Sequence, residues 1–189
     1  KACGVSRDVD KGKLFHDEIV AKGLLEKDIA IGNAVIDMYA KCGALTKAHQ
    51  VLEDLPFRNA ISWNSLVAGY ALEGQDHNAL NCFEQMQSEG ISPDQVTFLC
   101  VLSACSHSGM VEEGRKCFVD IPKKHGFMPD IQHETCMVDL FSRAGQFDKA
   151  VSVIETSPSS SDHQLLWLAI LGSCPKWRNI EVARLAFEQ

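Results

Sequence analysis

Four glycines, Gly43, Gly74, Gly109 and Gly145, follow one another at steps of 31, 35 and 36 residues, and five residues after each stands Ala48, Ala79, Gly114 or Ala150. Self-similarity with a period in the thirties marks stacked two-helix units, because one helical hairpin cannot bury its own apolar face and needs a neighbour on each side. Such a chain has no single globular core and grows by adding units. The stretches at 33–52, 64–83, 97–118 and 135–154 fall in the same phase and read helix, glycine turn, helix.

The small residue after each turn lets two helices approach closely. In the third unit Val111, Phe118 and Ile121 recur at helical spacing and read as a stripe facing neighbouring helices. Pro56, Pro93, Pro129 and Pro158 sit shortly before the next first helix and stop the preceding one. No strand alternation competes, so the expected fold is an all-α, right-handed superhelical solenoid of tandem helix-turn-helix repeats. The chain starts inside a unit, since 1–13 superimposes on 103–116 with one slipped residue, and it therefore reads as a piece of a longer array. The stretch from Ser157 to Asp162 is expected to be a solvated turn between units.

Several function classes find little support. Eight cysteines include no C-x-x-C pair, and Cys42 and Cys136 occupy positions where other units carry Ala144 and Ala34, so they read as small packing residues. Cys100, Cys105 and His107 cluster on one first helix and read as core, with no metal or other cofactor expected. His16 and Glu18 form an H-x-E without the P-C-x-x-C half that a zinc deaminase requires, and no other catalytic motif is present. No apolar run approaches the ~20 residues of a membrane helix. The expectation is a binding surface that is neither enzyme nor membrane protein.

A formal net charge of −7 disfavours sequence-blind nucleic-acid binding, which draws its affinity from Lys and Arg against phosphate. The local pattern is more specific. The second, fifth, ninth and thirteenth residues of each first helix share a face: Ala30, Asn33, Asp37 and Lys41 in one unit, Gln132, Thr135, Asp139 and Arg143 in another. Lys41 and Arg143 match in position and are candidate contacts to a backbone phosphate. Asn64, with Asn33 at the same place one unit earlier, is a poor helix-interior residue because its amide competes for backbone groups. On a groove, a carboxamide can pair with the edge of an exposed base. Asp94, at the end of the same unit, reads equally well as the N-cap of a helix opening near Gln95.

Together these stretches resemble plant pentatricopeptide repeats of the P-L-S subclass, which directs cytidine-to-uridine editing of organelle transcripts. The resemblance covers essentially the whole chain and implies a partial L repeat (1–28), S (29–59), P (60–94), L (95–130), a second S (131–162) and a truncated E-type extension (163–189). The last departs from the family by placing Pro175 and Trp177 in its turn and Arg178 where other units have Gly. The resemblance also implies that each repeat reads one base of single-stranded RNA through its fifth and last residues, with the second residue sandwiching the base. Carried over, Asn33 with Asn59 resembles a pyrimidine code leaning to cytidine, and Asn64 with Asp94 the uridine code. Leu99 with Asp130 lies in an L repeat, whose code is poorly defined. Thr135 resembles a guanosine code with Asp162, or with His163 if the junction carries an extra residue. Ile61 and Val96 suit the stacking role. The implied partners are organelle RNA, in mitochondrion or chloroplast, and a deaminase domain or editing accessory protein supplied downstream or in trans. Two other readings remain: a structural member of an organelle ribonucleoprotein such as the mitochondrial ribosome, and a tetratricopeptide-like scaffold that binds peptides.

Overall fold

The computed structural model describes residues 9–157 and 163–177, together with 184 and 186. Asp162, most of the 157–162 junction, residues 1–8 of the first partial repeat and Arg178 lie outside the described residues. Among the described residues there are ten α-helices: α1 (Val9–Ala21), α2 (Ile29–Lys41), α3 (Leu45–Asp54), α4 (Ala60–Leu72), α5 (Asp76–Ser88), α6 (Gln95–Ser108), α7 (Val111–Asp120), α8 (Ile131–Arg143), α9 (Phe147–Thr156) and α10 (His163–Trp177). A short π-helical turn, Ile121–His125, continues α7.

The anchoring glycines do what their spacing predicts. Gly43, Gly74, Gly109 and Gly145 all take a positive φ, between 68° and 76°, which a residue without Cβ adopts freely. After each, the next N–H reaches back over the last turn: Ala44 to the Tyr39 carbonyl, Gln75 to Tyr70, Met110 to Cys105 and Gln146 to Phe141, all within 3.0 Å. This closure satisfies carbonyls that a helix end leaves open and reverses the chain. The partner helix then returns with its small residue pressed inward, and Ala48, Ala79 and Ala150 are fully buried.

The chain falls into two compact units, residues 1–100 and 101–189. In the first, α2 packs on α3 and on α4, α3 rests on α4, and α4 pairs with α5. In the second, α7 lies on α8, while α8 packs against both α9 and α10. Within each unit first helices lie side by side, α2 with α4 and α8 with α10, and second helices rest on the first helix that follows, α3 on α4, α7 on α8 and α9 on α10. Contact between first helices is close: a Cβ added at Gly69 of α4 would stand 2.7 Å from the Cβ of Ala40 on α2.

One sequence expectation needs correcting. On α7 and the turn after it, Ile121 is buried, but Val111 and Phe118 are only half-buried; the inward stripe is Gly114, Cys117 and Ile121. The small residue sets the phase, because Gly114 is the point nearest α8, where an added Cβ would lie 2.5 Å from Leu140 Cδ2. Val111 and Phe118 flank that line.

The unequal unit lengths have a definite location. From the start of each first helix to its turn glycine the step is 14 residues in all four cases, Ile29 to Gly43, Ala60 to Gly74, Gln95 to Gly109 and Ile131 to Gly145. Everything that varies comes afterwards. The second helices α3 and α9 have 10 residues, whereas α5 has 13. Gly109 to Gly126 is 17 residues against 16 for Gly74 to Gly90, and the π turn absorbs the extra one, as a single-residue insertion in a helix does.

Candidate nucleic-acid interface

The fifth residues of α2 and α4 are Asn33 and Asn64, and each is drawn into the same small network. Asn64 Nδ2 donates to Asp94 Oδ1 at 3.0 Å, while Asn64 Oδ1 accepts from the Thr97 hydroxyl at 2.6 Å. Asp94 also caps α6: its Oδ1 accepts from the Thr97 N–H at 2.8 Å, and its own N–H donates back to Thr97 Oγ1 at 3.1 Å. One unit earlier the pattern repeats. The Ser62 hydroxyl donates to Asn33 Oδ1 at 2.6 Å, Asn33 Nδ2 lies 3.4 Å from Asn59 Oδ1, and Asn59 caps α4 through the Ser62 N–H at 3.0 Å. Capping and pairing with the fifth residue therefore coexist in one side chain.

Burial and charge sharpen the cluster. Asn33 and Asn64 are only 7% and 8% exposed, so their inner amide atoms must be satisfied within the protein, and they are. Burial of Asp94 works to raise its pKa, yet the hydrogen bonds from Thr97, Asn64 and Val96 prevail and hold its carboxyl below the ordinary 3.8. Asp94 is thus an anion at neutral pH. Ile61 and Val96, the second residues of α4 and α6, stand 59% and 54% exposed at the start of the two helices that build the cluster. Large aliphatic side chains left in water beside a polar cluster offer flat apolar surface to a planar ligand.

The remaining candidate positions are built differently. Leu99, half-buried, offers no polar atom, and Asp130 caps α8 through the N–H groups of Gln132 and His133 and meets His133 Nδ1 at 2.6 Å. Burial opposes it there too, but these bonds keep the Asp130 carboxyl below its ordinary value. Thr135 turns its hydroxyl to the Ile131 carbonyl at 2.6 Å. Lys41 and Arg143 are exposed, each joined to an aspartate one turn back on its own helix, Asp37 at 2.6 Å and Asp139 at 2.7 Å. Arg143 and Asp139, with Ser106, His107 and Gly172, line a cleft of about 550 Å³.

Of the residues weighed for other chemistry, Cys105 is buried and Cys100 half-buried, but His107, expected in the core, is exposed because it falls on the last turn of α6 before the chain reverses. His16 stands edge-on to Tyr39 with Nδ1 3.2 Å from its hydroxyl, and burial lowers its pKa. Burial pushes the Cys82 thiol up to about 12 and the Cys100 thiol to about 11, so both are protonated and poor nucleophiles at neutral pH. Among the described residues no three His, Cys, Asp or Glu side chains converge to hold a metal, and no helix is long and apolar enough to cross a membrane. Ser62 and Thr97 escaped the reading of the sequence, because a hydroxyl residue in the first turn of a helix is unremarkable until its partner 29 or 33 residues away is known.

Models of the pentatricopeptide repeat match residues 33–59, 58–107, 96–125 and 135–156, which is all of 33–156 except 126–134. The chain belongs to the pentatricopeptide repeat family. Among its relatives are two pentatricopeptide repeat-containing proteins of Arabidopsis thaliana, each 39% identical, over 185 and 191 residues; they cover 98% and 100% of this chain. A third, the chloroplastic protein CRR2 of the same plant, is 37% identical over 186 residues, 98% of this chain and 28% of its own. The chain spans about a quarter of the length of the first two, 25% and 24%. Among solved structures, the maize pentatricopeptide repeat protein PPR10 in complex with an 18-nt psaJ RNA element superposes with a TM-score of 0.74 at 16% identity, over 98% of this chain and 27% of its own. The pentatricopeptide domain of Arabidopsis protein-only RNase P 1, in complex with tRNA, gives 0.65 at 17% identity over 84% of this chain and 86% of that one. The fold is therefore the all-α pentatricopeptide solenoid, and the tetratricopeptide reading is set aside.

Proposed function

We propose that this chain binds single-stranded RNA, one base per repeat, within an organelle editing factor of the P-L-S subclass. The observation that carries the reading is the Asn64–Asp94 pair, whose inner atoms are spent on the protein and whose outer atoms are not. Asn64 donates one amide hydrogen to Asp94 and keeps the second; Asp94 Oδ1 takes the protein's donors, and the carboxylate retains acceptor capacity on Oδ2. A donor beside an acceptor is complementary to uracil, which carries a carbonyl next to N3–H. The Asn33–Asn59 pair offers the opposite second group. With Asn59 Oδ1 turned to the Ser62 N–H, its NH₂ is the outward atom, and two donors side by side suit the O2 and N3 acceptors of cytosine.

Ile61 and Val96 sandwich the base read by Asn64. Thr135 with Asp162 reads a purine of the guanosine type, and Leu99 with Asp130 discriminates weakly because leucine makes no edge contact. The implied site is pyrimidine, uridine, any base, guanosine, upstream of an edited cytidine. Lys41 and Arg143 contact phosphates by exchanging their aspartates for the RNA backbone, Arg143 from the wall of its cleft. The E-type extension from His163 hands the transcript to a deaminase, in mitochondrion or chloroplast. The likeness to an RNA-bound repeat protein and the chloroplastic relative support the reading.

Its test is Asn64→Thr. Competition binding against oligonucleotides differing at one base is expected to move preference at the second base from uridine toward guanosine by about 1–3 kcal/mol, the scale of one base-edge contact. No change at that base alone would refute the assignment.

A further inference from the structure

We infer that the hydroxyls of Ser62 and Thr97 are specificity-positioning groups: each fixes, from the following repeat, which amide atom the preceding asparagine turns toward RNA. The inference rests on the base-per-repeat reading above and adds a third residue to it.

An asparagine amide turned by 180° exchanges a donor for an acceptor with almost no change in shape. Something must therefore tell the two orientations apart. At Asn64 the Thr97 hydroxyl accepts from the Asp94 N–H at 3.1 Å and has two acceptors within reach of its one proton, Asn64 Oδ1 at 2.6 Å and Asp94 Oδ1 at 2.9 Å; the shorter contact goes to Asn64. A turned amide would place NH₂ against that proton and its oxygen against the Asp94 carboxylate. Two groups thus hold Asn64. At Asn33 the second restraint is weaker, because Nδ2 lies 3.4 Å from the neutral Asn59 Oδ1, and the Ser62 hydroxyl, 2.6 Å from Asn33 Oδ1 against 3.1 Å from Asn59 Oδ1, is the principal determinant. The hydroxyl occurs where it is needed. Behind Leu99 and Thr135, which have no amide to orient, the third residues of α8 and α10 are His133 and Leu165.

Ser62→Ala is therefore expected to act more strongly than Thr97→Val. The probes are a single-stranded RNA selected from a randomised pool by the unaltered full-length protein, and its single-base variants. Ser62→Ala should reduce discrimination at the base read by Asn33 by about tenfold, and Thr97→Val at the base read by Asn64 by about threefold, the range of one neutral hydrogen bond. Affinity should change little once the cognate base is replaced, and Thr97→Ser, which restores the hydroxyl, should recover wild-type discrimination. Circular dichroism and thermal melting report whether each variant folds; Thr97→Ser supplies the comparison should Thr97→Val fold poorly. Discrimination that survives in folded Ser62→Ala and Thr97→Val overturns the inference, as does a fall in melting temperature with the base ratios unchanged. If the unaltered protein itself shows no base preference, the base-per-repeat reading fails instead, and the two failures are told apart.

Discussion

A helix that begins without a side-chain acceptor leaves N–H groups of its first turn unsatisfied, and Asp94 supplies that acceptor for α6 while it also faces Asn64. The two duties separate by mutation. Asp94→Ala loses both, so thermal unfolding should report a loss of about 1 kcal/mol and base discrimination beside Asn64 should flatten. Asp94→Asn keeps the cap, since asparagine caps as well as aspartate, but replaces an outward acceptor by a donor. Stability should then stay within about 0.5 kcal/mol while preference shifts from uridine toward cytidine, read by competition binding. Any other residue at this position would have to cap a helix as well as face Asn64, which restricts it to short polar side chains. Asn33 and Asn64 stood out in the sequence because asparagine inside a helix runs against its propensity, whereas Asp94 was visible as a cap and Asn59 only through the family resemblance. Ser62 and Thr97 were not, because their significance lies wholly in a contact across the repeat boundary.

At the level of the element, the positions of the helices were legible because a glycine at a positive φ closes each hairpin and a small residue follows it five positions later in all four units. Side-chain phase on α7 was not, since Val111 and Phe118 are as apolar as the residues that are buried, and only the approach of Leu140 to Gly114 decides which way the helix turns. The same closeness governs Gly69. Alanine there would gain roughly 1 kcal/mol of helix propensity. Its Cβ, however, would meet Ala40 Cβ at 2.7 Å and Leu45 Cδ2 at 2.9 Å, and the Ala40 methyl has no rotamer by which to move away. Overpacking of this kind costs about 1–3 kcal/mol, so Gly69→Ala should lower stability in denaturant titration even though it improves the isolated helix.

For the whole molecule, net charge −7 argued against an electrostatic binder, and Lys41 and Arg143, at the thirteenth position of α2 and α8, are each tied to an aspartate. If only Lys41 and Arg143 neutralise phosphates, the logarithm of affinity for single-stranded RNA should fall with the logarithm of salt at a slope of about −1.4, at ~0.7 per phosphate. A slope steeper than about −4 would mean that other lysines and arginines line the RNA path. Fold class followed from repetition alone, since a period in the thirties calls for stacked two-helix units; the hydrogen bonds at Asn33 and Asn64 needed individual atoms. The constant 14-residue step before each glycine has a further consequence. A residue gained after the glycine is swallowed as the Ile121–His125 turn swallows one, and the next first helix still begins on its cap. A residue gained between Ala60 and Asn64 would instead swing the asparagine about 100° around its helix, away from Thr97. Tolerance to insertion and deletion therefore belongs to the second half of each hairpin, and frame belongs to the first.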